Sequence, residues 1–168
     1  MLGAVELTAY LQFALLGGLA LAQLDAAFTD IKSRTISNHI NVGIALFAPV
    51  FWWASGVDLW PGVAIQLGVA LATFAITVGL MAINQMGGGD AKLLTALALW
   101  ITPLWFVQLI VVMAFAGGAL TLGMLIYHLK KRKSGQPKIP YGVAVTFAGL
   151  WVLSFHYLPT LTASTLSG

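Results

Sequence analysis

Long apolar runs separated by short polar segments extend along the whole chain. The runs exceed the roughly 9 to 11 residues of a membrane β-strand, and a bilayer interior requires every backbone group to be paired. Helices meet that requirement within a single segment. The pattern therefore predicts an all-α, polytopic membrane protein of about six transmembrane segments, at about residues 7–28, 40–54, 62–83, 91–101, 104–129 and 141–158.

The fourth segment is shorter than the others. It follows Gly87, Gly88 and Gly89, which should end the third helix because glycine disfavours helical structure and has no side chain to pack. Thr102 and Pro103 end the segment. At ~1.5 Å per residue it reaches about half way across a ~30 Å hydrocarbon core, which predicts a half-span or a tilted helix.

Composition agrees with a membrane protein, since 60% of the residues are hydrophobic, 8% are charged and the mean hydropathy is +0.93. The chain has no cysteine, which excludes disulfides and thiol nucleophiles. The first apolar segment follows Glu6 and no cation, whereas a secretory signal begins with basic residues. We therefore expect the first segment to be retained and residues 1–168 to form one membrane-embedded domain.

The cations are confined to one side of the predicted bundle. All eight fall in the loops after the first, third and fifth segments or within two residues of them: Lys32, Arg34, Lys92, Lys130, Lys131, Arg132, Lys133 and Lys138. Since basic loops usually stay cytoplasmic, these loops should face the cytoplasm and both termini should lie outside. This arrangement accounts for the net charge of +3 as contact with the lipid bilayer, and no feature supports a nucleic-acid partner.

Two acids stand at the cytoplasmic ends of predicted helices. Asp30 ends the first, and Asp90 follows the three glycines, so packing of the first helix against the third and fourth could bring the carboxyl groups together. An ionised acid at membrane depth is costly and indicates a functional site. Two adjacent carboxyls share a proton, so one can take a proton from water while the other acts as an acid. Such a pair can hydrolyse an amide without a metal or cofactor.

The residues around both acids resemble a known family, the type IV prepilin peptidases, which are membrane aspartyl proteases of the GxGD type. The stretch Gly87–Leu93 (GGGDAKL) is similar to the second active-site motif of that family, and Asp30–Asn38 (DIKSRTISN) to the first. Lys138–Ala144 (KIPYGVA) resembles the stretch that opens the last helix in these enzymes. Ser37 stands where many relatives have proline.

The resemblance implies an aspartyl endopeptidase that removes the basic leader from prepilin or pilin-like precursors at the cytoplasmic face of the cell membrane. It implies Asp30 and Asp90 as the catalytic pair. Many relatives also have a cysteine-containing cytoplasmic region and methylate the new N-terminus. This chain has no matching cysteines or long loop, and therefore resembles the short, peptidase-only members associated with tight-adherence (Flp-type) pili.

Other residues could support the site. Gly87, Gly88 and Gly89 would let an extended substrate backbone approach the acid, and the helix that begins near Ala91 would direct amide hydrogens toward it. Lys92 could hold a substrate carbonyl or reach the lipid headgroups. The remaining candidates for support are in the first motif: Arg34 and Asn38.

Each acid also has a second interpretation. Asp30 could pair with Lys32 or Arg34 at a helix end, and Asp90 could be the N-cap of the short helix. Asp25 competes with Asp30 because it lies deeper in the first segment, although it lacks the following motif. The histidines show no metal-ligand spacing, so no metal site is predicted: His39, His128 and His156.

Two alternative functions use the same residues. A preflagellin peptidase or another GxGD-type signal peptidase would share the chemistry and differ in substrate. A small transporter or channel would instead bind protons or cations at Asp30 and Asp90, with the broken helix at Gly87–Gly89 lining its site. A protease yields a cleaved product and needs both acids, whereas a transporter shows flux without breaking a peptide bond.

Overall fold

A computed structural model describes residues 2–130 and 141–159 of the protein. All elements in this part of the chain are helical: α1 (Leu2–Ser33), α2 (Asn38–Ala54), α3 (Ala64–Ala82), α4 (Gly88–Ala98), α5 (Pro103–Lys130) and α6 (Tyr141–Val152). A π-helical turn, Leu59–Val63, precedes α3, and another, Leu153–Tyr157, continues α6. The predicted all-α class and order of six helices are confirmed. Most of the predicted basic loop, residues 131–138, lies outside the described residues.

Among the described residues, three stretches are long and apolar enough to cross a membrane, judged by length and composition, and Tyr141–Tyr157 is a shorter apolar helix. The three candidate spans are Leu7–Ser33, Leu59–Ala82 and Pro103–His128. The chain is thus a polytopic membrane protein, as the apolar runs predicted. The short helix α4 is outside these candidate spans.

The end of α1 differs from the prediction, because the helix continues through Asp30 to Ser33 instead of stopping near Phe28. Polar side chains inside this last stretch bond to the helix itself: Thr29 Oγ1 donates to the Asp25 carbonyl at 2.9 Å, and Ser33 Oγ donates to the Thr29 carbonyl at 2.8 Å. Such bonds satisfy hydroxyl groups without leaving the helix. Arg34, at φ 57°, then ends it.

The start of α4 also differs. The helix begins at Gly88, not near Ala91, and its N-cap is Gly87. The interpretation of Asp90 as the N-cap is therefore wrong, since Asp90 lies three residues further, inside the first turn. Two glycines can enter a helix here because the turn is held by tertiary packing, which overrides their weak intrinsic preference.

The short helix α4 forms the centre of the bundle. It packs against α2, α3 and α6, and seven of its eleven residues are buried. The residues that follow its carboxyl end, Trp100 and Ile101, are buried. Side chains from other helices donate to the carbonyl groups there: Trp52 Nε1 to Leu99 (2.7 Å), Gln66 Nε2 to Ile101 (2.8 Å) and Tyr157 OH to Trp100 (3.2 Å). These bonds allow a helix to end in apolar surroundings.

The neighbours of α1 are not those predicted. We expected α1 to pack against α3 and α4, whereas its main contacts are with α2 and α6. Helix α6 lies between, since it also contacts α4. Close approach of α1 and α6 is possible because α6 presents Gly142 and Gly149 toward side chains of α1. The end of the bundle where α1 ends and α4 and α6 begin is called the acid end below.

Candidate active site

Asp30 lies on the buried face of α1. Every third or fourth residue of this helix is buried, which is the repeat of one helical face: Leu16, Leu19, Gln23, Ala26 and Asp30. That face is directed at α6, and the Gly142 amide donates to Asp30 Oδ2 at 2.9 Å. The Val143 amide also bonds to this carboxyl group. The first turn of α6 thus supplies two backbone donors to Asp30.

Asp90 lies in the first turn of α4, where it is only 7% exposed. Its carboxyl group folds back and accepts a hydrogen bond from the amide of Gly87, the N-cap residue. This is the reciprocal half of a capping box, in which the third helical residue satisfies the amide of the N-cap. Glycine is needed at this cap, since a Cβ at position 87 would lie 2.8 Å from Asp90 Oδ2.

The two carboxyl groups converge on Gly142. A Cβ built at this residue would lie 2.8 Å from Asp30 Oδ2 and 3.0 Å from Asp90 Oδ1. The structure therefore brings Asp30 and Asp90 together, as predicted, although α6 and not direct packing of α1 on α4 closes the arrangement. Gly142 was not among the predicted site residues. The sequence feature that could have identified Gly142 as a site residue is the Tyr-Gly-Val-Ala stretch that opens α6.

The electrostatics of the two acids differ. Burial, and second the nearby charge of Asp30, raise the pKa of Asp90 from its ordinary value near 3.8 to about 7, against the opposing effect of the Gly87 amide. Asp30 is also buried, and it accepts two amides and lies near the positive charge of Arg34, which oppose the effect of burial. Amide donors and a helix N-terminus stabilise a carboxylate in its charged form. Near neutral pH Asp90 can therefore hold a proton beside Asp30.

A cavity of about 210 Å³ opens beside both acids. It is lined by the last turn of α1, the following loop and the glycines: Asp30, Arg34, Thr35, Ile36, Gly87, Gly88, Gly89 and Asp90. The glycines also permit close packing within the chain, because a Cβ at Gly89 would lie 3.0 Å from Ile36 Cβ and one at Gly88 3.2 Å from Met81 Cε. The cavity is large enough to admit a few backbone atoms of a peptide and a water molecule.

Two predicted supporting residues bind each other instead of lining the cavity. Lys92 Nζ donates to Asn38 Oδ1 at 2.8 Å and so connects the start of α4 to the start of α2. Asp25, the competitor of Asp30, has an exposed side chain on α1. Asp30, buried and next to Asp90, is therefore the member of the pair that the geometry supports.

The sequence was also compared with known families and structures. Residues 14–122, more than half of the chain, match the sequence model of the type IV leader peptidase family. The matched range contains Asp30, Asp90 and the three glycines and stops before α6. No curated protein and no solved structure gave a significant match. With two acids converging at the acid end and a match of this extent, the chain belongs to the type IV leader peptidase family.

Proposed function

We propose that this protein is an aspartyl endopeptidase that removes the basic leader from prepilin or pilin-like precursors at the cytoplasmic face of the cell membrane. The observation that carries the proposal is the convergence of the Asp30 and Asp90 carboxyl groups on Gly142, beside an open cavity. A peptidase of this family acts on a precursor protein, and the apolar helices of the bundle match a substrate that is itself held in a membrane.

The proposed reaction starts with one proton on the pair. Asp30, as the carboxylate, takes a proton from a water molecule whose oxygen attacks the carbonyl carbon of the scissile peptide bond. Asp90, protonated because it is buried beside Asp30, gives its proton to the carbonyl oxygen. The tetrahedral intermediate then collapses: Asp30 gives its proton to the leaving amine as the carbon–nitrogen bond breaks, and a hydroxyl group of the intermediate returns a proton to Asp90 as the new carboxyl group forms.

The remaining cavity residues would hold the substrate. Gly88 and Gly89 expose backbone next to Asp90, which suits binding of an extended peptide through main-chain hydrogen bonds. Arg34 keeps a positive charge close to Asp30. Lys92 and Asn38 are proposed to support the site indirectly, since their hydrogen bond joins the two helices that begin beside it.

Co-expression with a Flp-type prepilin tests the proposal. The wild-type protein should shorten the prepilin, and Asp30→Asn and Asp90→Asn should each lower the rate at least about 100-fold, because each removes one half of the acid–base pair. The matched control is Asp25→Asn, which removes an exposed acid of the same helix and should cleave normally. N-terminal sequencing of the product identifies the bond.

Membrane insertion of every variant is checked on the same samples. Cleavage that persists in Asp30→Asn but is lost in Asp25→Asn would move the active site. No cleavage of several prepilins by the inserted wild-type protein would overturn the proposed substrate class.

A further inference from the structure

A second contact between α1 and α6 lies two helical turns below the acids. Gln23 precedes Asp30 by seven residues and Gly149 follows Gly142 by seven, so each pair shares a helix face. Just as Asp30 faces Gly142, Gln23 faces Gly149, and the two helices are antiparallel. Two side chains of α1 thus pack against glycines of α6, Asp30 against Gly142 and Gln23 against Gly149, and the two contacts are seven residues apart on each helix.

The lower contact is closely packed. A Cβ built at Gly149 would overlap with Gln23 Oε1 and lie 2.9 Å from Gln23 Cδ. Beside it, Thr146 Oγ1 donates to the Gln23 backbone carbonyl at 2.9 Å. Both Gln23 and Thr146 are buried. We call Gln23, Thr146 and Gly149 the register contact, because together they fix the position of α6 along α1.

The Gln23 amide does not contribute a hydrogen bond in the described part of the chain. Its Nε2 and Oε1 are fully buried and have no partner there. An amide left unsatisfied in an apolar core lowers stability relative to an apolar side chain of the same shape. The contact of Gln23 with Gly149 is one of size and shape.

The register contact has a direct consequence for the acids. The amides of Gly142 and Val143 reach Asp30 only at the present alignment of α6, and one residue of sliding along the axis is ~1.5 Å. Displacements of about 1 Å in a catalytic arrangement can cost 100-fold in rate. Any shift of Gly149 relative to Gln23 would move the donors off Asp30.

We propose that Gln23 is a positioning residue for the acid pair: seated on Gly149 beside Thr146, it holds the first turn of α6 in place so that the Gly142 and Val143 amides bind Asp30. Gln23 acts through α6 and does not touch the substrate. This inference rests on the proposed peptidase activity, and it assigns a role to α6, which lies outside the part of the chain that matches the family.

The test is a size-compensation experiment with purified protein and prepilin in detergent. Gly149→Ala introduces the overlap and should lower kcat at least about tenfold with a smaller change in KM, since the cavity residues are untouched. Gln23→Ala removes the opposing side chain, so the double variant Gln23→Ala/Gly149→Ala should recover most of the lost kcat. The control is Gly68→Ala, a helical glycine with open space around its Cβ position, which should behave as wild type.

Two further measurements separate positioning from folding. Gln23→Met keeps the bulk and removes the polar atoms, so it should retain kcat and raise the thermal midpoint. The midpoint of Gly149→Ala should fall and recover in the double variant. Equal kcat in Gly149→Ala and Gly68→Ala, or no recovery in the double variant, overturns the inference while wild-type cleavage stands. Absence of wild-type cleavage overturns the proposed function and the inference with it.

Discussion

At the scale of single residues, the environment gives two identical carboxyl groups different roles. Both acids are buried, but Asp30 accepts two amides from the first turn of α6, whereas Asp90 accepts one from Gly87 and lies beside the charge of Asp30. Donors that point at a carboxylate favour its charge, and burial opposes charge. The pair can therefore keep one proton near neutral pH, which is the state required for combined acid and base catalysis.

The raised pKa of Asp90 predicts how cleavage depends on pH. Below about 7 Asp90 keeps its proton and can protonate the substrate carbonyl. As the pH rises through about 7 the pair loses its shared proton, so kcat should fall on the alkaline side. The charged groups beside Asp90 at the cavity are Asp30 and Arg34. A kcat profile between pH 5 and pH 9, at about half-unit steps, measures the effect. A kcat that keeps rising above pH 8 would contradict the assignment of the proton to Asp90.

The pH dependence of stability gives a second test that Asp90 holds the proton. It is needed because Asp90→Asn is expected to be inactive, so its kcat cannot be compared with that of the wild type. In the unfolded chain the carboxyl group ionises near 3.8, whereas in the folded protein it holds its proton to about 7. Between these values the folded state binds more protons than the unfolded state, so stability due to this group decreases as pH rises. The thermal midpoint of Asp90→Asn should show less decline over that range than the wild-type midpoint.

At the scale of elements, the short helix α4 depends on hydrogen-bond donors from neighbouring segments. A helix of eleven residues covers about half of a hydrocarbon core, and its last carbonyl groups would be unpaired in lipid. Trp52 of α2, Gln66 of α3 and Tyr157 after α6 supply the missing donors. The central helix can therefore be short because three surrounding segments complete its hydrogen bonds, which leaves its first turn free to carry Asp90.

Replacement of Gln66 tests this dependence. Gln66 Nε2 donates to the carbonyls of Ile101 at 2.8 Å and Leu99 at 3.2 Å. In Gln66→Leu the Ile101 carbonyl loses its donor, and stability should fall by about 1 to 2 kcal/mol. Gln85→Leu, at an exposed position, is the control and should change stability little. Chemical denaturation in detergent measures both, and equal stability of the two variants would mean that the carbonyls find other donors.

At the scale of the whole molecule, charge is distributed unequally between the two ends of the bundle. The Lys and Arg residues that the structure describes lie at or beyond the acid end: Lys32, Arg34, Lys92 and Lys130. The opposite end carries Asp58 in the connection after α2. Since cations are retained on the cytoplasmic side, the distribution supports the proposal that the cavity faces the cytoplasm.

Cysteine labelling tests this orientation, and the chain offers a background free of cysteine. Lys32→Cys places a thiol at an exposed position of the acid end, and Asp58→Cys places one at an exposed position of the other end. A membrane-impermeant maleimide added to intact spheroplasts should label Asp58→Cys alone, and lysis should make Lys32→Cys reactive. The reverse pattern would place the acids outside the cell.

Much of the architecture followed from the sequence because hydrophobic length is a local property. Runs of apolar residues predicted six helices, and Gly87–Gly89 marked the start of the short helix to within three residues. The two motif acids also followed from the sequence, since an acid beside apolar segments is rare and its flanking residues resemble a family. The helix boundaries at Ser33 and Gly88 did not follow, because side-chain bonds and packing extend helices through residues that disfavour them.

Which helix faces meet depends on the tertiary structure. Helices that are apolar on all sides carry no stripe to mark an inner face, so the sequence could not show that α1 packs against α6 instead of α3 and α4. It could not show that Gly142 lies between the acids or that Gln23 is seated on Gly149. The helices, their order and the two candidate acids can be read from the sequence alone. The hydrogen bond from Gly142 to Asp30 and the one from Thr146 to Gln23 join segments more than 100 residues apart in the chain, so they depend on how the helices pack.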